Sequence, residues 1–181
     1  MTYNQETHHR QSIRLPYFDY SQPGYYFITI CTKNRECLLG NIINNKIKLS
    51  EIGKIVKQCW LDMPKHYPNV ELDEFIVMPN HLHGIIIIND PINKYRRGGV
   101  TPPLPMENKI PLGKIVAYFK YQSTKQINKL THAPGQMIWQ RNYYEHIIRN
   151  EKKLERIRYY IGNNPYNWQT DRNNPENLRC R

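Results

Sequence analysis

The run Val70-Glu71-Leu72-Asp73-Glu74-Phe75-Ile76-Val77-Met78-Pro79-Asn80-His81-Leu82-His83-Gly84-Ile85-Ile86-Ile87-Ile88 decides the fold. Two stretches rich in β-branched and aromatic residues flank Pro79-Asn80, a pair suited to a turn. The run therefore reads as two strands, Val70 to Val77 and His81 to Ile88, joined as an antiparallel hairpin. Upstream, Ser50 suits the N-cap of a helix to about Met63, with Ile52, Ile55, Val56, Cys59, Trp60 and Met63 on one face and Pro64 as its stop. Before that helix, Tyr25 to Thr32 follows Pro23-Gly24 and is another aromatic and β-branched stretch, hence a strand. Downstream, Leu112 to Leu130 reads as a helix whose inward stripe is Leu112, Val116, Phe119, Ser123, Ile127 and Leu130. Tyr143 to Arg149 is a last strand, and Asn150 caps a final helix that Asn164-Pro165 ends.

The order β, α, β, β, α, β and then an extra helix is the split βαβ pattern. It predicts an α+β fold, ferredoxin-like or RRM-like, with an antiparallel sheet in which the first and third strands are central. The 181 residues suit one domain, spanning 23–168. A basic lead-in, 1–22, precedes it and a tail, 169–181, follows. Residues 89–111, with five prolines, read as a mobile connection inside the domain.

Lys and Arg number 26 against 15 Asp and Glu, a formal charge of +11. Cations placed beside phosphates release condensed counterions, so the excess points to a polyanionic partner, a merely solvated basic surface being the alternative that charge alone leaves open. Fourteen tyrosines add flat faces on which unpaired bases can stack. The four cysteines (31, 37, 59 and 180) form no CxxC pair, which argues against a zinc knuckle. With no signal-like leader and no apolar run near 18 residues, the expectation is a cytoplasmic protein with reduced thiols and no membrane partner. HExxH, GxxxxGK[ST] and the zinc-deaminase signature are all absent.

What carries chemistry is His81-Leu82-His83. Alternate residues of a strand share a face, which sets the two imidazoles about 6–7 Å apart along the strand, close enough to converge on one divalent ion. The competing reading is two polar residues on a solvated face, which a central strand flanked by apolar residues disfavours, because unpartnered imidazoles are costly to bury. Two ligands leave open coordination positions, which suits catalysis. Gly84 beside them would let another chain or a nucleotide backbone approach. On the final helix, a stripe of Leu154, Ile157 and Ile161 leaves Tyr160 and Asn164 on one edge, with Lys153 on that edge a turn or two earlier. Tyr160 then faces the His pair across the helix–sheet boundary, unless it is an ordinary boundary tyrosine. Asn164 could add an oxygen ligand, and Lys153 a charge for phosphate.

Met78-Pro79-Asn80-His81-Leu82-His83-Gly84 resembles the His-hydrophobic-His (HUH) motif of the single-tyrosine transposases. Trp139-Gln140-Arg141-Asn142-Tyr143-Tyr144-Glu145-His146-Ile147-Ile148-Arg149-Asn150, followed by Tyr160-Ile161-Gly162-Asn163-Asn164-Pro165, is similar to the C-terminal signature of their REP-associated branch. Ser12-Ile13-Arg14-Leu15 and Tyr20-Ser21-Gln22-Pro23-Gly24 fit the same branch, so the resemblance spans roughly residues 10–168. It implies a transposase that nicks and rejoins hairpin-bearing single-stranded DNA through a covalent 5′-phosphotyrosine. His81 and His83 correspond to metal ligands and Tyr160 to the nucleophile, on the extra C-terminal helix. Asn164 falls where some relatives carry a polar third ligand, there Gln. The cofactor implied is Mg²⁺ or Mn²⁺: two imidazoles lean toward Mn²⁺, abundance toward Mg²⁺. Lys114, Tyr118, Tyr121, Lys125 and Lys129 would form a DNA-facing stripe, and Lys153 a further contact. Relatives include homodimers that share active sites as well as monomers. Two other readings remain: a non-catalytic RRM-like module binding single strands, which leaves the His pair and Tyr160 unexplained, and a water-using phosphoesterase, which has no need of Tyr160.

Overall fold

A computed structural model describes residues 18–90 and 109–178. A four-stranded antiparallel sheet is built from β1 (Gly24–Cys31), β4 (Val70–Val77), β5 (His81–Ile88) and β6 (Tyr144–Ile148), in the order β4-β5-β1-β6. As the split βαβ reading requires, the first strand and the HLH-bearing strand are the two central ones. The predicted hairpin is present, and β1 pairs with β5 so that Thr29 lies opposite His83 and Cys31 opposite His81.

The two faces of the sheet have separate cores. Tyr26, Ile28 and Ile30 of β1 and Leu82, Ile86 and Ile88 of β5 face helices α1 (Glu51–Leu61) and α3 (Leu112–Leu130). The fully buried Trp60 crosses Phe119 edge-on at 5.4 Å in this layer. Phe27, Ile85 and Ile148 face the other way, onto Leu154 and Ile161 of α4 (Glu151–Gly162). His81 and His83 share the parity of Ile85 and therefore lie on the α4 side.

Helix starts follow the cap residues read from the sequence: Ser50 Oγ accepts from Gly53 N–H at 3.0 Å, and the Asn150 side chain accepts from Lys153 N–H at 2.9 Å. Arg158 of α4 donates from Nε and Nη2 to the two Asp73 oxygens, at 2.9 and 2.6 Å, tying the helix to β4 where the β4–β5 register shifts between Leu72 and Phe75.

The structure corrects three local expectations. Pro64 does not stop α1, which ends at Leu61. It opens a separate turn, α2 (Met63–His66), near whose start a missing N–H costs nothing. Leu130 is 48% exposed at the overhanging end of α3, and Ile115 takes a place in the core stripe. The space over Gly84 admits no other chain: a Cβ there would sit 2.4 Å from Trp60 Cζ2, on the face away from the histidines. The sequence reading also left out a second hairpin, β2 (Gly40–Ile43) and β3 (Lys46–Leu49), turned by Asn44 and Asn45 at φ 49° and 58°. Most of the 89–111 connection lies outside the described residues. Among them, no helix is long and apolar enough to cross a membrane.

Candidate active site

His81 and His83 are buried, at 0% and 1% exposure, which removes the solvated-face reading. Their Nε2 atoms approach to 3.1 Å, and their other ring nitrogens are held from behind. Both amide hydrogens of Asn80 are committed, to the carbonyls of Arg35 (2.9 Å) and Asn173 (2.7 Å). Its Oδ1, 2.8 Å from His81 Nδ1, must therefore accept from that nitrogen, which leaves the His81 Nε2 lone pair bare. Thr29 Oγ1 holds His83 Nδ1 at 2.8 Å, and Phe27 stacks on the His83 ring at 5.4 Å. Burial, then the neighbouring His83, Arg35 and Arg172, hold the His81 pKa well below its ordinary value. Burial, with Arg172, pushes His83 down to about 3. Both rings are neutral at physiological pH and available as donors.

A residue the sequence reading passed over completes the cluster. Asp171 Oδ2 lies 3.9 Å from His81 Nε2, its side chain 5% exposed, and ligand atoms of His81, His83 and Asp171 all fall within 4.8 Å of one another. Asp171 arrives from beyond α4, where the chain folds back on the site: Trp168 lies 6.1 Å from the His81 ring, and Asn173 and the backbone at Arg172 are bound by Arg35 Nη1. Two neutral imidazoles and a buried carboxylate are a donor set that fits a divalent cation. An isolated buried carboxylate without a compensating charge would be costly.

Tyr160 does look across the helix–sheet boundary. Its hydroxyl is 3.2 Å from His83 Nε2, its ring meets His83 at 5.2 Å and Phe27 at 6.1 Å, and it stays 40% exposed, within reach of a bound molecule. Tyr159 points to solvent, 73% exposed. Burial and then Asp171 raise the Tyr160 pKa above the ordinary phenol value, against the hydrogen bond from Asn164 and the charge of Arg172. Asn164 is itself buried, and its Oδ1 has no hydrogen-bond partner, leaving an oxygen donor open beside Tyr160.

The other residues singled out from the sequence stand farther away. Lys153 is exposed in the first turn of α4, near enough to His146 to lower its pKa. Lys114, Tyr121, Lys125 and Lys129 are exposed on α3, in the layer opposite the histidines. Tyr118 in the same stripe is half-buried and stacked flat on His66 at 3.9 Å. Tyr121 lines an open groove with Met137 and Arg141.

The sheet order and the helices packed on it match the fold of a solved tyrosine transposase. A solved REP-associated tyrosine transposase bound to a REP hairpin superposes with TM-score 0.59 at 20% identity, over 87% of this chain and 73% of that one. A Haemophilus influenzae protein named as a candidate REP-associated tyrosine transposase is 26% identical over 155 residues, 81% of this chain and 73% of its own length. The resemblance read from the sequence is thus matched by both a shared fold and a sequence relative. The chain belongs to one family with a further H. influenzae protein, itself uncharacterised, at 46% identity over 177 residues, 93% of this chain and 95% of that one. No family model matches the chain.

Proposed function

We propose that the protein is a metal-dependent endonuclease and strand-transfer enzyme acting on hairpin-bearing single-stranded DNA, in DNA transposition or in the processing of REP-type palindromes. The observation that carries this reading is the Tyr160 hydroxyl standing 3.2 Å from His83, at the mouth of a buried His81-His83-Asp171 cluster. The likeness to a transposase bound to a REP hairpin supports DNA of that kind as the substrate.

His81, His83 and Asp171 would hold Mg²⁺ or Mn²⁺, with the Asn164 amide oxygen as a further donor. When bound, the ion supplies charge withdrawal and orientation at the scissile phosphate. The chain's own contribution is the nucleophile and its placement. Tyr160 Oη forms a bond to phosphorus and loses its proton, while the P–O3′ bond breaks and the departing 3′ oxygen gains one. The products are a 5′-phosphotyrosine and a 3′-OH, and reverse attack by a 3′-OH rejoins strands without ATP. A phenol is a weak nucleophile at neutral pH, so the reaction depends on fixed geometry at a polarised phosphate. In the first turn of α4, Lys153 adds a phosphate contact. The exposed stripe Lys114, Tyr121, Lys125 and Lys129 supplies DNA-facing surface in the other layer, with Tyr118 anchoring the helix at its base.

The test mixes the protein, or its Tyr160→Phe variant, with hairpin-bearing single-stranded DNA and Mn²⁺ and resolves the products on a denaturing gel. A covalent adduct with the wild type alone is expected. Cleavage that persists in the variant points to a water-using hydrolase, and DNA that is shifted yet uncut points to a binding module.

A further inference from the structure

Between two pinned neighbours of the folded-back segment, Arg172 leaves its side chain to solvent. Asp171 before it and Asn173 after it are buried, and both are pinned: Asn173 N–H donates to Asp171 Oδ1 at 2.6 Å, and the Asn173 carbonyl accepts from Asn80 at 2.7 Å. The Arg172 carbonyl itself accepts from Arg35 Nη1 at 3.0 Å. With the backbone fixed on both sides, the guanidinium extends over the Tyr144 ring, 6.0 Å from its centroid. Tyr144 touches Phe27 at 6.3 Å, and Phe27 is the ring that packs on both His83 and Tyr160. A chain of three aromatic contacts therefore sets this cation at the rim of the site.

Its charge is spare. Ion pairs among the described residues engage Lys54, Lys65, Arg158 and the His81–Asp171 approach, and none takes Arg172. The same charge is close enough to His81, His83, Tyr160 and Cys31 to lower the pKa of each. An unpaired guanidinium held on a rigid backbone beside a nucleophile matches the oxygens of a phosphodiester, which it can grip with two parallel N–H donors.

We propose that Arg172 binds the non-bridging oxygens of the scissile phosphate while Tyr160 attacks it, which makes it a catalytic residue. This rests on the reading of Tyr160 as nucleophile. The segment that returns after α4 then serves the reaction twice: Asp171 faces inward to the cation cluster and Arg172 outward to the substrate. Lysine in its place would keep the charge and lose the paired donors.

The experiment follows the full-length protein with hairpin-bearing single-stranded DNA in Mn²⁺, comparing wild type, Arg172→Ala and Arg172→Lys. Adduct formation at saturating DNA is expected to slow about 100-fold in Arg172→Ala, the scale for losing a preorganised donor to developing charge, and less in Arg172→Lys. Guanidinium ion at millimolar concentration is expected to restore part of the Arg172→Ala rate, and the Mn²⁺ affinity of the variant to equal that of the wild type. DNA binding measured in the Tyr160→Phe background gives a second readout. There Arg172→Ala should lower the slope of log K against log salt by about 0.7, one phosphate on a single strand. A wild-type rate in Arg172→Ala overturns the proposal. So does a loss that guanidinium leaves untouched or that accompanies weakened Mn²⁺ binding, because either marks a structural role. If the wild type itself forms no adduct, the nucleophile reading fails, and an unchanged salt slope then refutes the phosphate contact separately.

Discussion

Asn80 decides the chemistry of its neighbour without touching the candidate substrate side. Its two N–H groups are bound to the Arg35 and Asn173 carbonyls, so its oxygen can only receive the His81 Nδ1 proton. One side chain thus sets a histidine tautomer and also ties down the loop that brings in Asp171. Removing such an outer partner of a metal-binding histidine commonly costs 10–100-fold in metal affinity. Asn80→Ala is expected to weaken Mn²⁺ binding by that order in calorimetric titration, and an unchanged affinity would show that neither tautomer nor loop matters to the cation. The His pair and Tyr160 were legible from the sequence because strand and helix periodicity fixes which side chains share a face. Asp171 was not legible. It follows the end of the last periodic helix, and its approach to His81 depends on how a non-repeating segment packs 90 positions along the chain. No local pattern encodes that.

At the level of elements, the HLH strand serves two layers at once. His81 and His83 project toward α4, while Gly84 between His83 and Ile85 faces the opposite layer and makes room for the Trp60 indole of α1. Gly84→Ala forces a methyl group to within 2.4 Å of a fully buried ring that is itself wedged against Phe75 and Phe119. Overpacking of this kind costs about 1–3 kcal/mol. The urea midpoint should fall accordingly, and a midpoint equal to wild type would mean that Trp60 yields freely. The long elements β1, α1, β4, β5, α3, β6 and α4 were all visible as periodic stretches, and the Ser50 and Asn150 caps marked their starts. The β2–β3 hairpin escaped because its strands are only four residues each, too short for a period to stand out. Its two-asparagine turn, with both residues at positive φ, was the available signal. Pro64 misled for a physical reason as well: proline is forbidden inside a helix yet welcome in its first turn.

On the scale of the whole molecule, the surplus of 11 positive charges has to be reconciled with a sheet that separates α3 from Tyr160. The two faces communicate around one end of the sheet. Ile138, Trp139 and Gln140 bond to the β1 end through Lys33 N–H, an isolated bridge to Thr32 and the Cys31 carbonyl, and Lys120 of α3 holds the carbonyls of Gln140, Arg141 and Asn142. The groove beside Tyr121 is lined by Gln140 and Arg141, and the chain passes from them into β6, whose Tyr144 lies under Arg172. A single strand of DNA passing this way would meet the α3 lysines first and the tyrosine afterwards. Each phosphate contact on a single strand contributes about 0.7 to the slope of log K against log salt. Replacing Lys114, Lys125 and Lys129 together with Gln is therefore expected to lower that slope by about 2 and to weaken binding most at low salt. Fluorescence anisotropy with labelled hairpin DNA across a salt series reads both quantities. A slope equal to wild type would confine the DNA to the Tyr160 layer and leave the α3 stripe a solvated helix face.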